Sequence, residues 1–211
     1  MNTDTADVIL VHGLWAPALV MSPLAARLAA AGFRCRLFGY AGRGQSIESN
    51  AERLRRTLRD RRPAHLVGHS LGGLVVLEAL NSSPDVPARH TVLLGTPARG
   101  SVSGRRLAAN RFGRWMLGRS ELLWRERAAA RWERPEPLGV IAGTMPIGLG
   151  RAVSRLPGPS DGVICVDETA VEGMRERITL PVSHSAMILS YRVAAQVAEF
   201  LRNGHFLHDS R

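Results

Sequence analysis

One pentapeptide, Gly68-His-Ser-Leu-Gly72, constrains this chain more than any other feature because of what lies on either side of it. The mostly apolar run 64–68 leads into it and predicts a buried strand. The almost wholly apolar run 71–80 follows at once and predicts a helix buried on every side. The chain must therefore turn sharply at Ser70. Such a turn projects the serine hydroxyl above the sheet, and the flanking glycines let strand and helix approach closely.

The rest of the chain alternates strand-like and helical segments. This alternation predicts an α/β fold with a mostly parallel sheet covered by helices on both faces. Six strands are predicted, at 8–11, 33–38, 64–68, 90–94, 138–142 and 178–182. The predicted helices span 17–31, 46–61, 71–80 and 187–202. A chain of 211 residues suits a single domain, 1–211, that is large enough to bury a core.

Residues 101–134 interrupt this alternation and predict a short helical lid inserted between two strands. The net charge of +10 comes entirely from arginine, and it is concentrated in two segments, 51–62 and 99–134. Together with Trp115, Trp124 and Trp132, the arginines suggest a lid that makes weak contact with an anionic membrane surface. A solvated basic face on an ordinary cap helix is the alternative. Charge alone supports only non-specific association with nucleic acid, so no specific nucleic-acid partner is expected.

Neither a cofactor nor a metal is expected. The two cysteines, Cys35 and Cys165, lie far apart and lack the spacing of a zinc or redox site. The first residues lack the basic and apolar regions of a signal peptide, and no window approaches the roughly 18–20 apolar residues of a membrane span. These features predict a cytoplasmic protein.

Several motifs together resemble the α/β-hydrolase family, specifically its small bacterial lipase and esterase branch. Gly68-His-Ser-Leu-Gly72 and the early strand that ends at His12-Gly13 carry the first part of the resemblance. Gly95-Thr-Pro-Ala-Arg-Gly-Ser101 resembles a segment that follows the next strand in those lipases, with Ala98 where histidine is frequent. Ser160-Asp-Gly-Val163 and Val182-Ser-His-Ser185 resemble the acid turn and the histidine loop. The resemblance spans about 8–203 and implies a single-domain α/β-hydrolase fold.

The resemblance implies a catalytic triad of Ser70 as nucleophile, Asp161 as supporting acid and His184 as general base. A general base must reach the serine hydroxyl and titrate near the working pH. Of the seven histidines, His184 is the one that lies after a C-terminal strand and before a final helix. Asp161 precedes a glycine in a loop rich in proline and glycine, but Asp167 and Glu168 remain rivals for the acid.

The remaining parts of the predicted site come from backbone groups and apolar side chains. The N–H group of Leu71, directly after the nucleophile, is a predicted oxyanion-hole donor. The resemblance implies that the second donor is the N–H group of Leu14. Apolar residues near the motifs suggest a pocket for an acyl chain, although loops over a core contribute such residues in any case. The substrate-binding candidates are Trp15, Met145, Ile147 and Met187.

Together these residues predict a serine hydrolase that cleaves small-molecule or lipid carboxylic esters through an acyl-enzyme on Ser70. An acyltransferase or thioesterase that uses the same triad is the alternative, because the acceptor is chosen by the shape of the lid and pocket. A non-enzymatic scaffold is disfavoured, since a degraded triad would mark one and here all three candidates are present.

Overall fold

A computed structural model describes residues 6–14, 16–41, 44–59, 61–109, 130–147 and 156–208. Among these residues, six parallel strands form one sheet in the spatial order β2-β1-β3-β4-β5-β6. The strands are β1 (Asp7–Val11), β2 (Arg34–Phe38), β3 (Ala64–His69), β4 (Ala88–Leu94), β5 (Leu138–Gly143) and β6 (Glu176–Leu180). The predicted six-stranded parallel sheet is confirmed.

Helices cover both faces of this sheet. Within the described ranges the α-helices are α1 (Ser22–Ala30), α2 (Ile47–Arg59), α3 (Leu71–Asn81), α4 (Val102–Ala108) and α5 (Tyr191–Asn203). The described part of the chain also contains three 3₁₀ helices, at Ala18–Met21, Val166–Thr169 and Ser185–Leu189. The apolar sides of α2 and α3 share one core cluster, and those of α1 and α5 share another. Because successive strand residues point to opposite faces, Ile9 and Val11 join the first cluster, whereas Val8 and Leu10 join the second.

Proline and serine explain where element ends differ from the sequence-based expectation. Pro23 has no N–H group, so one regular α-helix cannot run through it, and the chain forms a 3₁₀ turn before α1. Pro181 follows β6, which therefore ends at Leu180 and not at 182 as predicted. α5 begins four residues later than predicted because Ser190 caps it. The Ser190 hydroxyl accepts a hydrogen bond from the amide of Val193 at 3.3 Å.

The predicted lid, 101–134, is described only at its two ends. Residues 110–129, which include Trp115 and Trp124, lie outside the described residues. At the second end, Trp132 is buried and its indole N–H donates to the carbonyl of Glu136 at 2.7 Å. The side chain of Arg134 is only 5% exposed. These two residues were predicted to belong to an exposed basic and aromatic surface; instead they pack into the body of the domain.

Arg134 has a structural role that its place in a basic segment does not suggest. Its guanidinium donates to four main-chain carbonyls in and after the last turn of α3, those of Leu80, Ser83, Pro84 and Val86. It also contacts the Glu136 carboxylate through two nitrogens at 2.9 and 3.0 Å. A planar fork of donors suits such a task. Arg134 therefore fixes the connection between α3 and β4.

The described part of the chain contains no helix with both the length and the apolar character that a bilayer span requires.

Candidate active site

Ser70 occupies a sharp turn between β3 and α3. Its backbone has φ 54° and ψ −124°, which makes it the one non-glycine residue with positive φ among the described residues. The Ser70 amide donates to the carbonyl of Leu94 on β4 at 2.9 Å, and the Ser70 carbonyl accepts from the amide of Gly73 at 3.1 Å. A non-glycine residue in this region is strained and persists where its surroundings hold it in place. The turn predicted from the pentapeptide is therefore present, with the serine at its apex.

The glycines of the pentapeptide allow two close backbone approaches. A Cβ atom added at Gly72 would lie 2.3 Å from the carbonyl oxygens of Val11 and His12. One added at Gly68 would lie 2.5 Å from the Cα atom of Gly73. Both distances are far below van der Waals contact, so side chains at these positions would push α3 away from β1 and β3. The first turn of α3 consequently lies directly on the end of β1.

Asp161 and His184 form a buried pair. The imidazole Nδ1–H of His184 donates to Oδ2 of Asp161 at 2.7 Å. The other carboxylate oxygen, Oδ1, accepts from the amides of Val163 at 2.9 Å and Ile164 at 2.7 Å. Asp161 is 1% exposed and His184 is 9% exposed. Three hydrogen bonds therefore fix the orientation of the carboxylate, and the bonded Nδ1 leaves Nε2 of His184 as the nitrogen available for proton transfer.

The two rival candidates for the acid, Asp167 and Glu168, have other surroundings. Asp167 is exposed in the 3₁₀ helix that follows the acid turn. The Glu168 carboxylate accepts from the amide of Cys165 at 2.8 Å and from the amide of Val102, so it joins the start of α4 to the acid loop. Burial raises the pKa of Glu168. The carboxylate that the structure brings to His184 is thus that of Asp161.

Gly95 links this pair to the nucleophile turn. It follows Leu94, whose carbonyl accepts the amide hydrogen of Ser70. A Cβ atom at Gly95 would lie 2.9 Å from Oδ2 of Asp161 and 3.1 Å from Nδ1 of His184. The acid and base therefore pack against the residue next to the hydrogen-bond partner of Ser70. The structure brings all three predicted triad residues to the carboxyl ends of β3 to β6.

His12 holds the loop that carries the predicted oxyanion donor Leu14. Its Nδ1–H donates to the carbonyl of Gly13 at 2.7 Å, and its Nε2 accepts from the amide of Tyr40 at 3.3 Å. The Tyr40 hydroxyl donates to the carbonyl of His12 at 2.8 Å, and the two rings stack with centroids 4.3 Å apart. Burial lowers the pKa of His12, which favours this neutral arrangement. No sequence motif singles out Tyr40, because residues 12 and 40 are joined only by the fold.

The oxyanion candidates lie on either side of the nucleophile. A Cβ atom at Gly13 would lie 3.1 Å from Cβ of Ser70, so the loop before Leu14 runs directly over the serine. Leu14 is half-buried against the core, and Leu71, the first residue of α3, is 1% exposed. The N–H groups at the start of a helix have no intrahelical acceptor, which leaves that of Leu71 available to an oxyanion.

The four predicted substrate-binding residues have different surroundings. Met145 and Ile147 are 38% and 62% exposed, and the amide of Met145 donates to the carbonyl of Val182 near the histidine loop. The backbone of Ile147 lies against Gly162, next to the acid. Met187, by contrast, is fully buried in the core cluster under α5. Trp15 lies outside the described residues.

No group of three His, Cys, Asp or Glu side chains that could hold a metal occurs within the described ranges. The two cysteines are unpaired, and burial raises the pKa of each thiol to about 11.

Comparison with known proteins assigns the chain to a family. Residues 8–211 match the model of the alpha/beta hydrolase family, and the chain therefore belongs to that family. The resemblance predicted from the motifs is confirmed. A search of curated proteins with the sequence finds no match.

Solved structures with the same fold include three bacterial or metagenomic proteins. The Bacillus licheniformis lipase BlEst2 in its mature form is 17% identical, with a TM-score of 0.74 over 95% of this chain and 92% of that one. A thermophilic esterase from Thermogutta terrifontis is 16% identical, with a TM-score of 0.67 over 95% and 90%. A metagenomic carboxyl esterase is 18% identical, with a TM-score of 0.63 over 89% and 67%. At these identities the likeness concerns the fold.

Proposed function

We propose that this protein is a serine hydrolase that cleaves carboxylic esters through an acyl-enzyme on Ser70. The observation that carries the proposal is the buried His184–Asp161 hydrogen bond of 2.7 Å, which lies at the same end of the sheet as a strained serine in a strand-to-helix turn. Membership of the alpha/beta hydrolase family supports it, as do structural neighbours described as a lipase and as esterases.

In the first half-reaction, Oγ of Ser70 attacks the ester carbonyl carbon while Nε2 of His184 accepts the hydroxyl proton. The N–H groups of Leu14 and Leu71 donate to the negative oxygen of the tetrahedral intermediate. His184 then gives its proton to the leaving alkoxide, the C–O bond breaks, and an alcohol departs. Asp161 stabilises the imidazolium and fixes its tautomer without taking the proton.

In the second half-reaction, water replaces the alcohol. His184 accepts a proton from water, and the resulting hydroxide attacks the acyl carbon. Collapse of the second tetrahedral intermediate breaks the bond to Oγ, and His184 returns the proton to Ser70. The products are a carboxylic acid and the regenerated enzyme. Met145 and Ile147, exposed beside the acid and histidine loops, are the described side chains best placed to contact the acyl group.

The test combines a mechanism-based label with one mutation. A fluorophosphonate probe should label the wild-type protein at Ser70, and Ser70→Ala should abolish labelling. The same variant should lose p-nitrophenyl ester turnover by a factor on the order of 10⁶. Ser82→Ala is a matched control, because Ser82 is exposed at the other end of α3. Substantial turnover by Ser70→Ala, or no labelling of the folded wild-type protein, would contradict the proposal.

A further inference from the structure

His69 lies between three parts of the site. It ends β3 immediately before Ser70 and is 7% exposed. Its Nε2 lies 3.0 Å from the main-chain oxygen of His184, and the two imidazole centroids are 4.9 Å apart. On the other side of the ring, a Cβ atom at Gly13 would lie 3.4 Å from Nδ1 of His69. The His69 imidazole, on β3, thus lies between the loop that carries His184 and the loop that carries Gly13.

The protonation state of this ring follows from its partner and its surroundings. A carbonyl oxygen can only accept, so Nε2 of His69 carries the hydrogen that bonds to His184. Burial is the main cause that lowers the pKa of His69 to about 3, and the proximity of His184 and of His12 lowers it further. The proximity of Asp161 raises this pKa by a smaller amount. The His69 ring is therefore neutral near neutral pH. A neutral neighbour adds no positive charge beside the imidazolium that forms during catalysis.

We propose that His69 is a positioning residue that fixes the main chain of His184 against the nucleophile turn, a role that rests on the function proposed above. The His184 amide is already held by the carbonyl of Asp161 at 2.9 Å, and the His69 bond holds the carbonyl of the same residue. Both peptide groups of His184 are thereby fixed, which sets the direction in which its imidazole points. A displacement of about 1 Å in a catalytic group can cost about 10²-fold in rate.

Three substitutions of His69 separate positioning from packing. The amide nitrogen of glutamine reaches about as far as Nε2 of histidine, whereas asparagine is one methylene too short and leucine has no donor. We expect His69→Leu and His69→Asn to lower kcat for p-nitrophenyl ester hydrolysis by about 10- to 100-fold, with KM little changed. His69→Gln should stay within about fivefold of the wild-type kcat. Asparagine and glutamine are both polar, so their comparison remains informative if His69→Leu folds poorly.

A matched control lies on the same strand. His65 is 4% exposed and lies four residues earlier, near the amino end of β3. His65→Leu should leave kcat unchanged and report what the loss of a buried histidine does to stability alone. Activity in His69→Leu or His69→Asn equal to the wild-type level would overturn the proposal. So would a kcat that falls in step with thermal stability across all four variants.

NMR spectroscopy tests the hydrogen bond between His69 and His184 without a substrate. In ¹⁵N-histidine NMR spectra, His69 should remain neutral with its hydrogen on Nε2 from pH 8 to pH 5. In His69→Asn, the hydrogen shared by His184 and Asp161 should exchange faster with solvent. A His69 that is protonated at pH 6, or that carries its hydrogen on Nδ1, would overturn the assignment. If the wild-type protein cleaves no ester and takes no fluorophosphonate, the proposed function fails, but the NMR result still tests the His69–His184 bond.

Discussion

The main-chain amide of His184 donates to the carbonyl of Asp161 at 2.9 Å, and the side chains of the same two residues meet at 2.7 Å. The pair is therefore joined twice, once through the backbone and once through the reacting groups. A single side-chain contact would leave the imidazole free to pivot, whereas two connections restrict both its position and its rotation. Such restriction is what proton transfer to and from a serine hydroxyl requires.

Replacing Asp161 by asparagine should separate orientation from charge. The amide oxygen of Asp161→Asn can still accept from the amides of Val163 and Ile164, so the acid turn should keep its shape. Its NH₂ group would then face Nδ1 of His184 and favour the wrong tautomer. We expect kcat for p-nitrophenyl esters to fall by about 10⁴ with little change in Tm. Asp167→Asn is the matched control, and an equal loss of kcat in both variants would exclude Asp161 as the acid.

Gly95→Ala should damage the acid–base pair more than it damages the fold. Gly95 has φ +53°, and an added Cβ would lie 2.9 Å from Oδ2 of Asp161. We expect kcat/KM to fall at least about 100-fold. Gly32→Ala carries a similar backbone cost, since Gly32 has φ +93°, but its Cβ would meet nothing within 4 Å. That control should lose about 1 kcal/mol of stability and keep its turnover. Equal kcat/KM in the two variants would contradict the packing of Gly95 against the pair.

His65 should make the protein less stable in mild acid. Burial, with the proximity of His90 and Arg89, lowers its pKa from 6.5 to about 4. Above pH 6.5, His65 is neutral in both the native and the unfolded state, so it does not lower the free energy of unfolding. As the pH falls from 6.5 towards 4, the unfolded chain binds a proton that the native state does not, so stability declines.

Urea unfolding of His65→Leu measures this effect. The decrease in unfolding free energy between pH 7 and pH 5 should be smaller in the variant than in the wild type by about 2 kcal/mol. The overall stability of the variant at pH 7 is a separate quantity and does not enter the comparison. Curves of unfolding free energy against pH that run parallel for the two proteins would show that His65 is not the titrating group.

Ile147 should influence long acyl chains more than short ones. Its side chain is 62% exposed beside the acid loop, where apolar contact with a substrate would replace contact with water. We expect Ile147→Ser to lower kcat/KM for p-nitrophenyl octanoate by about three- to tenfold and to leave the acetate ester nearly unchanged. Leu207→Ser, which changes an exposed leucine in the C-terminal tail, should alter neither. A uniform loss across chain lengths would argue against an acyl contact.

The parts of the fold that the sequence predicts best are those with continuous apolar runs. The expected strand 64–68 and helix 71–80 agree with β3 and α3 to within one residue. Such runs leave little choice, because a segment that is apolar on every side must be buried. Predictions were poorer where a single proline or cap decides an end, as at Pro23, Pro181 and Ser190, since one missing N–H group or one serine hydroxyl outweighs the periodicity around it.

The candidate site divides in the same way. Ser70, Asp161 and His184 stand in local motifs, so short stretches of sequence are enough to nominate them. His69 and Tyr40 act through partners 115 and 28 residues away, and no local pattern indicates such contacts. Arg134 is a stronger example, because a basic segment favours a solvated surface, whereas its actual acceptors are carbonyls that converge only when α3 packs on the sheet.

The strand order gives the nucleophile and the base unequal mechanical support. β3, which leads to Ser70, has a neighbour on each side, whereas β6, which leads to His184, pairs with β5 alone within the described sheet. Fraying starts where a strand has one neighbour. At raised temperature or in mild denaturant, His184 should therefore be displaced while the turn that carries Ser70 is still intact. Such a sample would lose its catalytic activity well before its circular dichroism spectrum changed.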